Sequence, residues 1–391
     1  MLSNGRHYLA IPGPSVMPDR VLAAMHRAAP NIYTGALHDL THSLYPDLKS
    51  VARTAHNAAI YIGNGHAAWE AALANTLSRG DKVLVLATGS FGISWGVMAT
   101  ALGVQVEVMD FGPEADVDLA RVQDRLQGDR DITAVLVVHS DTSSSVRNDI
   151  AALRRVMDQV GHPALLMVDC IASLACDVFE MDDWGVDVMV ACSQKGLMTP
   201  PGLSFVFFSP KADAARDRAN CVTAYWDWRP RVKPAYYSQY FDGTAPTHHL
   251  YGLREALDMI MAEGVTAVWA RHAHLARAIW AAFDVWSTVG PMRLNIADPA
   301  KRSHAVTSVV IGGTDGDRLR AWCEHKAGVT LGIGLNREPA SGHFRIGHMG
   351  HVNAHMVLGV LGVMEAGLTA LGIAHGRGAL EAAAGVVGEV G

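Results

Sequence analysis

The sequence predicts an α/β protein, with a large domain built on a mainly parallel sheet and a smaller C-terminal α+β domain. Three observations carry this: short apolar runs alternate with helical patterns, polar residues fall just after those runs, and the pattern changes character beyond Ser209. After a leader holding Pro12, Gly13 and Pro14, the stretch from Pro18 to about Asn57 reads as helices broken at Pro30 and Pro46. From Ala58, AIYIG is a strand, HAAWEAALANTL a helix, KVLVLA a strand, Gly92 to Leu102 a helix, and VQVEVMDF a strand. ITAVLVVHS, a helix through IAALRRVMDQV, PALLMVD and VDVMVACS continue the series, and LSFVFFS is a further strand. Strands this short and apolar, separated by helices, imply a sheet covered on both faces.

Residues 222–247 are rich in Trp, Tyr, Pro and Arg with weak periodicity, which predicts a long surface or interface loop. Helices resume at LYGLREALDMIMAEG and VWARHAHLARAIWAAFDVW, and the tail after Ala374 reads as a terminal helix. The expected division is an N-terminal segment 1–17, a large domain 18–263 and a small domain 264–391.

Bulk properties exclude several classes. With 50% hydrophobic and 18% charged residues in 391, there is room for a sizeable core and an extensive subunit interface, so an oligomer is expected. A net charge of -6 without any Lys/Arg block argues against a dedicated nucleic-acid or anionic-membrane surface and points to a small-molecule partner. The five cysteines, Cys170, Cys176, Cys192, Cys221 and Cys323, are odd in number and hold no CxxC pair, so neither a disulfide framework nor a cysteine zinc site is indicated. With no apolar leader and no membrane-length apolar run, the expected location is the cytoplasm.

In sheets of this kind ligands sit beyond the carboxyl ends of the strands, which makes four places candidates. Gly63, Asn64, Gly65 and His66 form a strand-to-helix turn whose backbone amides suit a phosphate, although such turns commonly need glycine for their own geometry. Asp169 ends PALLMVD, either capping the next segment or pairing with a heteroaromatic N–H. Lys195, after Ser193 and Gln194, lies between an apolar strand and a Gly/Pro-rich loop, a setting that can depress its pKa and make the amine nucleophilic. The hydroxyl-rich HSDTSSS, His139 to Ser145, follows ITAVLVV and on its own is an unremarkable turn.

Together these residues resemble the class V pyridoxal-phosphate-dependent aminotransferases, in their alanine/serine–glyoxylate branch. The resemblance runs from GPS at Gly13 to Ser15, through GNGHAAWEAAL, VDCIASL, MDDWGVDVMVACSQKG, PPGL and LYGLREAL, to FRIGHMG at Phe344 to Gly350, nearly the whole chain. It implies a fold-type I transferase that binds pyridoxal 5'-phosphate, with Lys195 as the Schiff-base lysine and Asp169 on the pyridine nitrogen. It further implies a phosphate cup of Gly65, His66 and Gln194, with Asn64 in the same turn. Phe91 takes the aromatic position on the cofactor ring, Thr142 lies near the ring oxygen, and Thr244 reaches the phosphate from the neighbouring subunit of a homodimer. Arg345 matches the arginine that grips the substrate carboxylate, a bidentate task suited to guanidinium, with Gly13 and Tyr33 also on the substrate side. The implied reaction moves an amino group from a small L-amino acid such as serine, alanine or aspartate to glyoxylate or pyruvate.

The chain departs from the family pattern at Phe91, where tryptophan is frequent, and at Phe241, where tyrosine is frequent and Tyr240 stands alongside; NIYTGALHD lacks the DHR-type sequence of many relatives. An alternative is a relative that uses pyridoxamine and pyruvate, with which this chain shares the stretches at His139 to Thr142 and Glu263 to Ala273; its second arginine is displaced here to Arg337. A desulfurase-like reading would need a mobile nucleophilic cysteine, and the C-terminal region offers Cys323 in a helical pattern. A metal reading from His348, His351 and His355 is interrupted by Gly347 and Gly350 and lacks an acidic ligand, so no metal is expected. A non-catalytic binding protein would have little reason to keep Lys195, Asp169 and Arg345 together.

Overall fold

The computed structural model describes residues 2–389. Twelve strands are formed: β1 Tyr8–Ala10, β2 Asn57–Gly63, β3 Lys82–Ala87, β4 Gln105–Asp110, β5 Ile132–Val138, β6 Leu165–Asp169, β7 Val188–Cys192, β8 Gly202–Phe208, β9 Arg293–Leu294, β10 Val306–Val310, β11 Val329–Ile333 and β12 His343–Gly347. Seven make one sheet in the order β2-β8-β7-β6-β5-β3-β4, and five make a second in the order β1-β11-β12-β10-β9.

In the larger sheet β4, β3, β5, β6 and β7 run parallel, while β8 runs antiparallel to both β7 and β2. The apolar runs are continuous because both faces are covered. On β5, Val135 and Val137 enter one core with Leu166 and Val168, while Ala134 and Leu136 enter the other with Leu165 and Met167. The smaller sheet packs Val309, Leu331, Phe344 and Ile346 against Ile279, Phe283, Leu361 and Met364. The helix Val265–Trp286 serves both: Val268 and Trp269 lie in the first core, Ile279 and Phe283 in the second.

Three local expectations are corrected. The helix Ala36–Ala52 runs through Pro46 instead of breaking there. Its buried stripe of Leu37, Leu44, Leu48 and Val51 keeps it packed, and at the proline turn Arg254 donates to Ser43 O (2.7 Å) while pairing with Asp47. The leader, to which the sequence assigns no strand, supplies β1, which pairs in parallel with β11.

Residues 222–247 are also not a bare surface loop, since they hold the short helix Trp228–Val232 and a 3-10 turn at Tyr237–Tyr240. Trp228 stacks on Phe208 with centroids 3.9 Å apart. Arg231, 1% exposed, donates to Ile60 O (3.2 Å), Tyr240 O (3.1 Å) and Tyr225 O (2.6 Å), its guanidinium over the Tyr61 ring. A buried cation thus ties this segment to β2. Arg231→Met would strand three carbonyls, and we expect a loss of roughly 2–4 kcal/mol in urea unfolding. An unchanged midpoint would show that the segment holds without it.

Candidate active site

Because β2 and the parallel strands point the same way, the segments after Gly63, Ala87, Val138, Asp169 and Cys192 meet at one edge of the sheet. They enclose a cavity of about 240 Å³ lined by Asn64, Gly65, His66, Phe91, Thr142, Asp169, Gln194 and Lys195, all singled out from sequence, by Ser140 of the hydroxyl-rich loop, and by Trp69, Val138, Ile171 and Ala172, which were not. Helical spacing offered a signal for Trp69: it stands three residues after His66, on the same face of the helix Gly65–Thr76, with ring centroids 4.5 Å apart.

Asp169 is buried with both oxygens engaged, one capping the turn that follows and the other taken by an indole N–H. Oδ1 accepts from Ile171 N (2.7 Å) and Oδ2 from Trp69 Nε1 (2.9 Å). Burial nevertheless pushes its pKa up to about 7, against those two donors, with the carboxylate of Asp141 adding to the rise and Lys195 opposing it.

Across the cavity, Lys195 follows β7 in a turn held by Ser193 Oγ to Pro200 O (2.7 Å) and Thr199 Oγ1 to Ser193 O (3.1 Å). The leader clamps this turn: Ser15 donates through N to Gln194 O (2.9 Å) and through Oγ to Lys195 O (2.7 Å), and Lys195 Nζ donates to Pro12 O. Glycine suits position 13, because its φ of 102° is one that L side chains rarely adopt, and a Cβ there would stand 2.6 Å from Cδ and Cε of Lys195 and displace the amine. Burial lowers the Lys195 pKa from the usual amine range; Arg345 adds to the lowering, and Cys192 and Asp169 oppose it.

The HSDTSSS loop is more than a turn. Asp141, buried, accepts from Phe91 N (3.0 Å) and from Ser143 N (2.9 Å) and Oγ (2.6 Å), while Ser90 N donates to Ser143 Oγ (2.9 Å). The loop therefore caps the helix Ser90–Ala101 and fixes Phe91 at its start. Gly89 permits this approach, since a Cβ there would lie 2.6 Å from Asp141 Oδ2. Arg345, on β12, comes from the other sheet. Its Nε donates to Ile333 O (2.7 Å) and Nη1 to Thr142 O (2.8 Å), and Nη2 has no hydrogen-bond partner among the described residues. Burial lowers its pKa to about 10, with Asp141 opposing, yet it stays a cation at neutral pH. It stands outside the residues lining the cavity.

Two expected site residues are not brought to Lys195 within this chain. Thr244 and Tyr33 share a separate surface groove with Tyr236 and Tyr237, and Tyr33 is 80% exposed. Phe241 is in the core and Tyr240 packs against it. Arg337 Nη2 donates to Asn295 Oδ1 (2.9 Å), away from the cavity. Cys323 is buried on the helix Asp315–Ala327, its thiol pushed up to about 12 by burial, the reverse of an activated nucleophile. His348 Nε2 meets Thr307 Oγ1 (3.0 Å), and His351 and His355 line a different groove; among the described residues no group of three or more His, Cys, Asp or Glu is placed to hold a metal ion.

Residues 7–349 match the aminotransferase class-V family. The chain belongs to it. Serine–glyoxylate aminotransferase of Arabidopsis thaliana is 36% identical over 93% of this chain and 91% of that protein, and L-aspartate–glyoxylate aminotransferase of Paracoccus denitrificans is 33% identical over 93% and 91%. The crystal structure of pyridoxamine–pyruvate aminotransferase from Mesorhizobium loti, 27% identical, superposes with a TM-score of 0.88 over 97% of each chain. This is a fold-type I, pyridoxal-phosphate-dependent aminotransferase.

The aminotransferase's own residues fit that cofactor. An amine at Lys195 and a carboxylate at Asp169 face one cavity, a helix N-terminus opens on it, and the buried Gln194 Oε1 has no protein partner. A raised carboxylate pKa also has a stability consequence. The folded cofactor-free protein binds the Asp169 proton more tightly than the unfolded chain, so this contribution is full at low pH and is lost as pH rises toward 7. Relative to Asp169→Asn, cofactor-free wild type should lose on the order of 2–4 kcal/mol of unfolding free energy between pH 4 and pH 8. Parallel pH–stability curves for the two proteins would refute the burial argument.

Proposed function

We propose that this aminotransferase transfers the amino group of a small L-amino acid, serine, alanine or aspartate, to glyoxylate or pyruvate, as a cytoplasmic homodimer with shared active sites. The observation that carries the reading is Arg345: a buried guanidinium anchored by two backbone carbonyls, with Nη2 left unpartnered and a charge felt at Lys195. Such a group binds an α-carboxylate in a fixed plane, and every proposed donor and acceptor carries one. The names of the relatives support glyoxylate as acceptor and serine or aspartate as donor.

When bound, pyridoxal phosphate supplies an electron sink that makes the substrate Cα proton removable. Asp169, reached only by N–H donors, holds a proton on the pyridine nitrogen by staying ionised. Asn64, Gly65, His66 and Gln194 would hold the phosphate, Phe91 would cover the ring, and Thr142 would stand near its oxygen. Lys195 Nζ, lowered in pKa by burial, takes the proton from Cα and returns it on the other side of the exchange, while Pro12 O and Gly13 orient the amine. Tyr33 and Thr244 lie exposed in a groove of their own, which suits a surface that completes the partner's cavity. The reading keeps residues 18–263 as the cofactor-binding domain and 264–391 as the smaller one, with the helix Val265–Trp286 bridging them through Val268 and Trp269 in the first core.

Three experiments test it. In single-turnover mixing with serine, alanine, aspartate and pyridoxamine, a small amino acid should bleach the cofactor band fastest; bleaching by pyridoxamine alone would replace this reading with the pyridoxamine–pyruvate one. Borohydride reduction should leave cofactor mass on the Lys195 peptide and none in Lys195→Ala. Arg345→Gln should lower kcat/KM for the amino donor roughly 30- to 1000-fold, the loss of about 2–4 kcal/mol expected for an unpaired carboxylate.

A further inference from the structure

Two tryptophans of adjacent helices lie side by side behind the cavity. Trp69 and Trp95 stack with centroids 6.0 Å apart and planes 16° from parallel, and both are buried. Their indole N–H groups fare differently. That of Trp95 is buried without a partner, whereas that of Trp69 donates to Asp169 Oδ2 at 2.9 Å. A buried orphan N–H costs free energy, so this pair of rings already accepts one such cost while aiming the other indole at the carboxylate.

We propose that Trp69 is a positioning residue for the amino-transfer reaction, its indole N–H holding Asp169 as an ionised acceptor whose plane faces the cavity. The proposal rests on the aminotransferase reading of the site. The chemistry follows from what the two neighbours of Asp169 can do. An indole N–H and a backbone N–H donate and never accept, so neither can receive the proton of a neutral carboxyl group, and both bond the ionised form more strongly. A hydrogen bond to the charged form lowers an acid's pKa, opposing the burial that raises it. With one lone pair on each oxygen occupied, acceptor capacity remains on both, and Asp169 is part of the cavity lining. A proton shared with a heteroaromatic nitrogen there is driven onto the nitrogen.

Trp69 is well held for this task. His66 packs on it at 4.5 Å and Phe91 meets it edge-on at 6.3 Å, so its ring touches the phosphate turn and the ring-covering residue as well as the carboxylate. The ionisable groups whose charges act on Asp169 are Asp141, from the loop after β5, which adds to the cost of its charge, and Lys195, from beyond the end of β7, which reduces it. Neither donates a hydrogen bond to either oxygen, so neither supplies what the indole does.

Trp69→Phe keeps a ring against Trp95 and removes the donor; Trp95→Phe disturbs the same stack and leaves the donor. In cofactor-free protein with carboxyl-labelled aspartate, Trp69→Phe should raise the Asp169 titration midpoint by about one pH unit, a tenfold change in proton affinity, and Trp95→Phe should not. After loading with pyridoxal phosphate labelled at the ring nitrogen, the nitrogen resonance of Trp69→Phe should show loss of its proton at lower pH than wild type, with cofactor Kd raised about tenfold. Unchanged midpoint and nitrogen resonance in folded Trp69→Phe would overturn the proposal, and so would an equal change in Trp95→Phe. If Trp69→Phe does not fold, the indole N–H resonance of Trp69 in wild type decides: it should move with the Asp169 titration, and a flat profile refutes the contact. The carboxyl titration needs no cofactor, so absence of a borohydride-stable adduct at Lys195 would defeat the aminotransferase reading separately.

Discussion

The site depends on one costly placement, a carboxylate at the end of a strand buried on both faces. Asp169 closes β6, the strand between β5 and β7, where burial and the charge of Asp141 act against its ionised form. A buried carboxylate persists only when hydrogen bonds or a cation compensate it. One donor, Ile171 N, is local to the turn. The other must come from a different element, which fixes the rotation of the helix Gly65–Thr76 so that Trp69 points inward. That rotation also sets the helix start, with Asn64 Oδ1 accepting from His66 N at 3.1 Å, against the cavity. The phosphate turn and the carboxylate are thus two ends of one constraint.

The second constraint is that the site is shared between two cores. β1 belongs to the smaller sheet, yet the residues just after it, Pro12 to Ser15, hold the Lys195 turn of the larger one. Arg345 returns the contact: rooted in β12, it bonds Thr142 O after β5. Because the leader and Arg345 cross in opposite directions, moving one sheet relative to the other shifts the amine and the carboxylate clamp together. A site so built keeps the distance between the Lys195 amine and the Arg345 guanidinium tied to the packing of both sheets, as the roles proposed for them require.

This explains what was legible in the sequence. Strand ends are local, so Asp169, Lys195, Gly65 and Thr142 could be found from an apolar run followed by a polar residue, and the sheet brings all of them together. Direction was not legible: LSFVFFS has the composition of its parallel neighbours, and only pairing makes β8 antiparallel. The three-residue strand β1 is too short to show periodicity, and its role is set by a partner more than 300 residues away, Tyr8 beside Val329. Trp69 was hidden for a different reason. In WEAAL it reads as a core aromatic, which it also is, and its polar edge gains meaning only from Asp169, 100 positions on. Asp141, read as one polar residue of a hydroxyl-rich turn, is in fact the cap of the helix that carries Phe91.

Asp169 and Lys195 show how one environment tunes two groups of opposite charge. Burial raises the acid and lowers the amine, so both move toward neutrality from opposite sides, and each opposes the other's shift through its charge. An amine near the point of losing its proton is a nucleophile and a base, which amino transfer needs at Lys195. A carboxyl group near the point of gaining one is the wrong partner for a protonated ring nitrogen, and Asp169 is given N–H donors on both oxygens. Lys195 Nζ donates to a single backbone carbonyl, a bond that a neutral amine can keep. The same low-polarity cavity is therefore left to act on the lysine and counteracted at the aspartate, and that asymmetry, set by Trp69 and Ile171 on one side and Pro12 on the other, separates the roles of base and anchor.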